Sequence, residues 1–145
     1  FLGITFNYGL ILGWVSVNNT IDLAPIILYI GAIFWTLGYD TIYGFQDIND
    51  DEIIGLKSTS IKFKKNPIIF LNLCYLIFFL SLIFTGFIME FNKIYFILLI
   101  IIFAHLFYIQ LKKINFKSSE SCLNIFKSNN LLGFLVFFNL FLGKL

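Results

Sequence analysis

Five long apolar runs, separated by short polar connections, make up most of this chain: residues 1–17, 23–39, 68–89, 94–111 and 131–145. Each lies near the ~17–25 residues that an α-helix needs to cross a bilayer. The last run can begin earlier, because Cys122 to Phe126 is also mixed apolar. The pattern predicts five membrane helices in an all-α polytopic bundle. Lys64-Lys65-Asn66-Pro67 reads as a turn that starts the third of them, with Pro67 at the first helical position, where its missing N–H costs nothing. No internal repeat or low-complexity linker divides the chain.

Composition supports the membrane reading. The chain is 59% hydrophobic and only 12% charged, against roughly a quarter charged in soluble domains, and its mean hydropathy is +0.92. The first run lacks the basic stretch and small-residue cleavage site of a signal peptide. Phe stands at position 1 and the sole Met is Met89, so the chain is expected to be the C-terminal part of a longer protein. All ten basic residues are lysines, and eight of them (Lys57, Lys62, Lys64, Lys65, Lys112, Lys113, Lys117 and Lys127) fall in the connections 40–67 and 112–130. The positive-inside bias puts both connections in the cytoplasm or its topological equivalent. The lysines flank the spans and form no basic stripe, which argues against a nucleic-acid partner.

Cys74 and Cys122 are far apart, belong to no CxxC pair and predict no disulfide. One histidine offers no zinc cluster. His105, inside the fourth run, reads either as a helix-packing hydrogen bond or as a group facing a cavity. Asn7 likewise has two readings, interhelical packing or substrate contact.

The candidate chemistry is in "YDTIYGFQDINDDEIIGLKSTS", residues 39–60, which holds four of the five Asp residues. With no breaker before Gly44, the second helix is expected to continue past the membrane core. At ~100° per residue, Asp40, Gly44, Asp47 and Asp51 then share a sector about 60° wide, with Asp50 outside it. Like charges four apart destabilise a helix by several tenths of a kcal/mol, and a divalent cation reverses that sign. An EF-hand loop is excluded, because its sixth position must be Gly and, counted from Asp47, it is Glu52. Carboxylates in this pattern suit Mg²⁺ bridging to a diphosphate, with Lys57 as a compact positive charge for phosphate oxygen. Gly55 lets the chain turn so that Lys57-Ser58-Thr59 returns to the same mouth. Tyr39 and Tyr43, beside the stripe, either pack in the core or present a ring or hydroxyl to the ligand.

The same residues resemble the second aspartate-rich motif of the UbiA-type membrane prenyltransferases, and most closely that of the 4-hydroxybenzoate polyprenyltransferases. The likeness runs through Tyr-Asp-Thr-Ile-Tyr, Gln-Asp, Asp-Asp and Gly-Leu-Lys-Ser-Thr in order. It extends to "LGITFNYGLILGW" at 2–14 and "SCLNIFKSNNLLGFLVF" at 121–137, and so over essentially the whole chain. Gly44-Phe45 departs from the Ala-His expected there, which touches the pocket rim and no metal ligand.

The resemblance implies a nine-helix bundle, of which these 145 residues form the C-terminal five-helix part of a single domain, with the second motif at 40–51. It implies Asp40, Asp47 and Asp51 as metal ligands, Asp47, Asp51 and Lys57 as catalytic groups, and Lys57, Tyr43 and Asn7 as substrate contacts. The implied cofactor is Mg²⁺, and the implied partners are polyprenyl diphosphate, 4-hydroxybenzoate and the lipid bilayer, in ubiquinone synthesis. Haem or other aromatic prenylation are the alternatives within the family. Outside it stand a divalent-cation transporter, which predicts carboxylates near the bilayer midplane, and a non-catalytic subunit, which leaves the Asp spacing unexplained.

Overall fold

The computed structural model describes residues 2–145. Its helices are α1 (Leu2–Asn18), α2 (Leu23–Gly44), α3 (Ile48–Ile54), α4 (Thr59–Lys62), α5 (Pro67–Ile88), α6 (Lys93–Phe103), a π-helical segment (Ala104–Gln110), α7 (Leu111–Lys113) and α8 (Ser119–Lys144). No strand occurs among the described residues, so the protein is an all-α bundle.

Among the described residues, four stretches are long and apolar enough to cross a membrane: Leu23–Gly44, Pro67–Ile88, the continuous run Lys93–Lys113, and Ser119–Lys144. The expected fifth, α1, has 17 described residues. The final helix begins twelve residues before the expected 131, at Ser119, because Ser118 caps it by accepting from Ser121 N–H at 3.2 Å. Lys127 and Asn129 therefore lie inside a helix and not in a connection. Pro67 opens α5 as predicted.

The core forms where α2 packs along α5. Without neighbours' help, lipid-facing helices associate through close packing of small residues, and α2 supplies them. A Cβ on Gly31 would stand 1.8 Å from Ser81 Oγ, and one on Gly38 would stand 2.5 Å from the Tyr75 ring. Facing them, Leu71, Cys74, Tyr75, Phe78 and Leu82 of α5 are all buried. They repeat at three- and four-residue intervals, as a helix with one buried face requires. Cys74 and Cys122 are both buried and free.

A polar network ties four helices together inside this apolar core. Tyr75 donates its hydroxyl to Gln110 Oε1. Gln110 Nε2 donates to Asn129 Oδ1 at 3.0 Å, which also accepts from Trp35 Nε1 at 2.9 Å. His105 belongs here: it is 3% exposed, with Nδ1 3.4 Å from Gln110 Nε2, so its packing role is the one observed. The π-helical segment makes the arrangement possible. Leu111 N–H bonds back five residues to Leu106 C=O, which re-phases the helix and brings Gln110 round to meet α5 and α8.

Candidate functional site

The Asp-rich stretch folds differently from a straight extension of α2. The helix ends at Gly44, and Phe45 and Gln46 donate to the carbonyls of Ile42 and Tyr43 three residues back, at 3.2 and 2.9 Å. A new helix, α3, starts at Ile48. Two features account for the break. Gly44 is the weakest helix former short of proline, and Phe45 and Ile48 turn inward, only 6% and 8% exposed, with the Phe45 ring 4.6 Å from that of Phe116. The single continuous Asp stripe is therefore corrected to two faces, one at the end of α2 and one on α3.

Both faces look into the same space. A cavity of about 500 Å³ is lined by Asp40 and Tyr43 from α2, by Asp47 and Asp51, and by Lys57 through Ser60 from the returning loop. Asp47 and Asp51 stay one turn apart, with Asp51 N–H donating to Asp47 C=O at 3.0 Å. Asp50 points away from the cavity and is exposed.

The return of the loop has a clear local cause. Gly55 adopts φ 77°, a left-handed conformation that side chains other than glycine's strain to reach. Leu56 N–H then bonds Asp51 C=O at 3.0 Å and Gly55 N–H bonds Glu52 C=O at 3.2 Å, closing α3 as a Schellman turn. Beyond it, Thr59 Oγ1 and Thr41 Oγ1 lie 2.7 Å apart, pinning the loop to α2. Ser60 seats against Gly44, where an added Cβ would come within 2.1 Å of its hydroxyl oxygen. The Gly44 departure from the expected Ala thus has a counterpart in the small, buried Ser60 beside it. An ion pair from Lys64 to Glu52 at 2.7 Å holds the outer rim. It is exposed on both sides and worth at most about 1 kcal/mol.

The remaining polar groups are available to a ligand. The side chains of Asp40, Asp47, Asp51 and Lys57 make no ion pair or hydrogen bond within the described residues, whereas Glu52, outside the cavity, is neutralised by Lys64. Among the described residues no three His, Cys, Asp or Glu side chains stand close enough to hold a metal by themselves. The break at Gly44 puts Asp40 on a different helix from Asp47 and Asp51, so the three expected ligands reach the one cavity from two elements. The donor chemistry still fits Mg²⁺, which takes one or two protein carboxylates and completes its octahedron with water and substrate phosphate.

The other candidate residues divide. Tyr43 lines the cavity rim, 42% exposed, with its ring 4.8 Å from that of Phe126 on α8. Tyr39, one turn deeper, meets Trp35 and Phe126 edge-on at 5.7 and 5.9 Å. Asn7 does not reach the acidic cavity. Its Nδ2 donates to Gly3 C=O and Thr36 Oγ1, both at 2.8 Å, and to Ala32 C=O at 3.3 Å, joining α1 to α2. It lines a second cavity of about 340 Å³, with Thr36, Tyr39, Phe126 and Asn129. The sequence reading brought Thr59 back to the mouth but passed over Thr41 and Ser60, which shape it, and over Gln110 and Asn129. The last two carried a signal, as amides inside apolar runs.

No solved structure matches the chain. The chain is 37% identical over 145 residues to the mitochondrial 4-hydroxybenzoate polyprenyltransferase of Homo sapiens, covering 99% of this chain and 39% of that protein. It is 35% identical over 144 residues to the 4-hydroxybenzoate octaprenyltransferase of Psychromonas ingrahamii, covering 99% and 50%. A mitochondrial 4-hydroxybenzoate polyprenyltransferase of Drosophila melanogaster matches at 33% over 145 residues, 99% of this chain and 37% of the relative. The chain thus spans half or less of the length of these relatives. The family model for UbiA prenyltransferases matches residues 1–141, and with the apolar helical bundle and its acid-lined mouth this places the chain in the UbiA prenyltransferase family.

Proposed function

We propose that this chain supplies one acidic wall of the active cavity of a 4-hydroxybenzoate polyprenyltransferase, acting in ubiquinone synthesis in an inner membrane. The observation that carries the reading is the convergence of Asp40, Asp47, Asp51 and Lys57, from three separate segments, on one cavity without partners of their own. Four charged groups do not gather unpaired at the end of a membrane helix without cost, and a diphosphate with its divalent cation offsets it.

In this reading Asp47 and Asp51 would hold Mg²⁺ through carboxylate oxygens, with Asp40 in support. When bound, Mg²⁺ supplies positive charge against the departing diphosphate. Lys57 binds a phosphate oxygen and holds the leaving group in register. The C–O bond to diphosphate breaks, the ring carbon ortho to the hydroxyl of 4-hydroxybenzoate forms the new C–C bond, and that ring carbon loses its proton. Leu2, Leu37 and Tyr43 line the same cavity as the carboxylates, and apolar groups beside the reacting carbon would protect a developing allylic cation from capture by water. The acidic mouth and both Lys-rich connections face the cytoplasm or matrix.

The test uses membranes containing the native protein, 4-hydroxybenzoate, a polyprenyl diphosphate and Mg²⁺. Prenylated 4-hydroxybenzoate and released diphosphate are expected, and both are expected to vanish in excess EDTA. Acceptance of homogentisate or a dihydroxynaphthoate in place of 4-hydroxybenzoate would keep the family and overturn the substrate. Mg²⁺ flux in reconstituted vesicles with no prenylation would establish a transporter instead.

A further inference from the structure

The buried hydrogen-bond network ends on a row of aromatic rings that leads to the acidic mouth. Trp35 has one polar atom, an indole N–H that can only donate, and it donates to Asn129 Oδ1 at 2.9 Å. That contact sets the direction of every group behind it. Asn129 turns its carbonyl to Trp35 and its Nδ2 back to the carbonyls of Ile125 and Phe126, at 3.3 and 3.1 Å. The second lone pair of Oδ1 accepts from Gln110 Nε2 at 3.0 Å, which leaves Gln110 Oε1 to accept from Tyr75. Beyond Trp35 the contacts are between rings. Trp35 meets Tyr39 at 5.7 Å, Tyr39 meets Phe126 at 5.9 Å, and Phe126 meets Tyr43 at 4.8 Å. Trp35, Tyr39 and Phe126 line the second cavity, whose other walls include the amides of Asn7, Asn129 and Asn130. Tyr43 lines the acidic cavity. The Phe126–Tyr43 ring pair therefore stands between the two.

We propose that Gln110 is a positioning residue: through Asn129 and Trp35 it fixes the ring row that separates the acidic mouth from the amide-lined cavity. The row thereby sets how the reacting prenyl carbon divides between the aromatic acceptor and water. The inference rests on the function proposed above. Both fates begin with the same break of the C–O bond to diphosphate. In transfer, the acceptor's ring carbon forms the C–C bond and releases its proton. In capture, a water oxygen forms the new C–O bond and releases a proton, giving the polyprenyl alcohol. A cavity lined by amides admits water, so a closed ring pair between that cavity and the mouth favours transfer. Ring contacts prefer certain angles but tolerate several, whereas a hydrogen bond fixes a direction. The one such bond that Trp35 makes is to Asn129. Gln110 reaches Asn129 because the π-helical turn ends on it, and a turn of this kind often marks a functional position.

The experiment measures a product ratio, which is independent of how many molecules are folded. The native protein, purified into lipid nanodiscs, receives octaprenyl diphosphate, saturating 4-hydroxybenzoate and Mg²⁺, and octaprenol is quantified against octaprenylated 4-hydroxybenzoate. Trp35→Phe keeps a ring and removes the N–H. It is expected to raise the alcohol-to-product ratio at least ~5-fold, the scale of one ordinary hydrogen bond. Gln110→Leu cuts the same chain one residue further back and is expected to raise the ratio similarly. Because both act through Asn129, the double variant is expected to exceed neither single by much. Tyr95→Phe removes an equally buried hydrogen bond, to Leu82 C=O at 2.8 Å, away from the ring row, and is expected to leave the ratio alone. Lower total turnover at the native ratio in Trp35→Phe and Gln110→Leu would make the network merely structural and overturn the proposal. Effects that multiply in the double variant would overturn it too. If Gln110→Leu yields no folded protein, Trp35→Phe alone decides. Neither product from the unsubstituted protein overturns the proposed function instead, which keeps the two failures distinct.

Discussion

Replacing Asp51 with Asn while replacing Asp50 with Asn in parallel isolates the acidic cavity from every other property of α3. The two residues are adjacent in the first turn of the same helix, so each substitution removes the same charge from the same helix N-terminus. Their contributions to helix stability through the macrodipole are alike, about 0.3–1 kcal/mol each. They differ in one respect: Asp51 lines the cavity and Asp50 does not. A unit charge about 6 Å from an opposite charge, at an effective dielectric near 20, contributes about 3 kcal/mol. That is roughly two orders of magnitude in kcat. Asp51→Asn, and likewise Asp47→Asn, is expected to lose about 100-fold, and Asp50→Asn less than about threefold. The assay is prenyl transfer to 4-hydroxybenzoate at saturating Mg²⁺, with circular dichroism in detergent to show that helix content is equal. Equal losses at 50 and 51 would refute the claim that orientation around α3 selects the catalytic carboxylates.

Lys57→Ala should raise KM for polyprenyl diphosphate while leaving thermal unfolding unchanged, because the exposed Lys57 side chain packs against no core; a shift of the acceptor KM alone would contradict its phosphate role. Gly55→Val forces a β-branched residue to φ 77°, which costs upwards of about 1–2 kcal/mol, and it should lower activity by displacing Lys57, with full activity counting against the loop assignment. Gln110→Leu removes the centre of the buried network and leaves Tyr75 and Asn129 short of partners. It should destabilise the bundle by about 1–3 kcal/mol, read as a lower midpoint in detergent unfolding.

Much of this protein is legible in its sequence because a bilayer leaves few choices. Long apolar runs become helices since every backbone group must bond within its own segment, and Pro67 marked the start of α5 correctly. The acidic cavity was legible too, since Asp40, Asp47, Asp51 and Lys57 line one space. The geometry that brings them together was not. Periodicity carries no information on where a helix stops when its last residues are a glycine and a buried aromatic, as at Gly44-Phe45. The π-helical segment was equally hidden, because no breaker interrupts Ala104 to Gln110 and the partners that Gln110 meets, Tyr75 and Asn129, lie on other helices. Asn7 shows the limit for single polar residues in apolar runs. The sequence flags that such an amide faces inward, while the neighbours that claim it, here Gly3, Ala32 and Thr36, depend on packing.

The central claim is that Asp47 and Asp51 hold a divalent cation against a diphosphate at this cavity. Electron paramagnetic resonance of Mn²⁺, substituted for Mg²⁺ on the native protein in membranes, measures it directly. Addition of a polyprenyl diphosphate should tighten Mn²⁺ binding and change its signal, and the Asp47→Asn, Asp51→Asn double variant should abolish both effects. Identical diphosphate-dependent Mn²⁺ binding in the double variant would contradict the account.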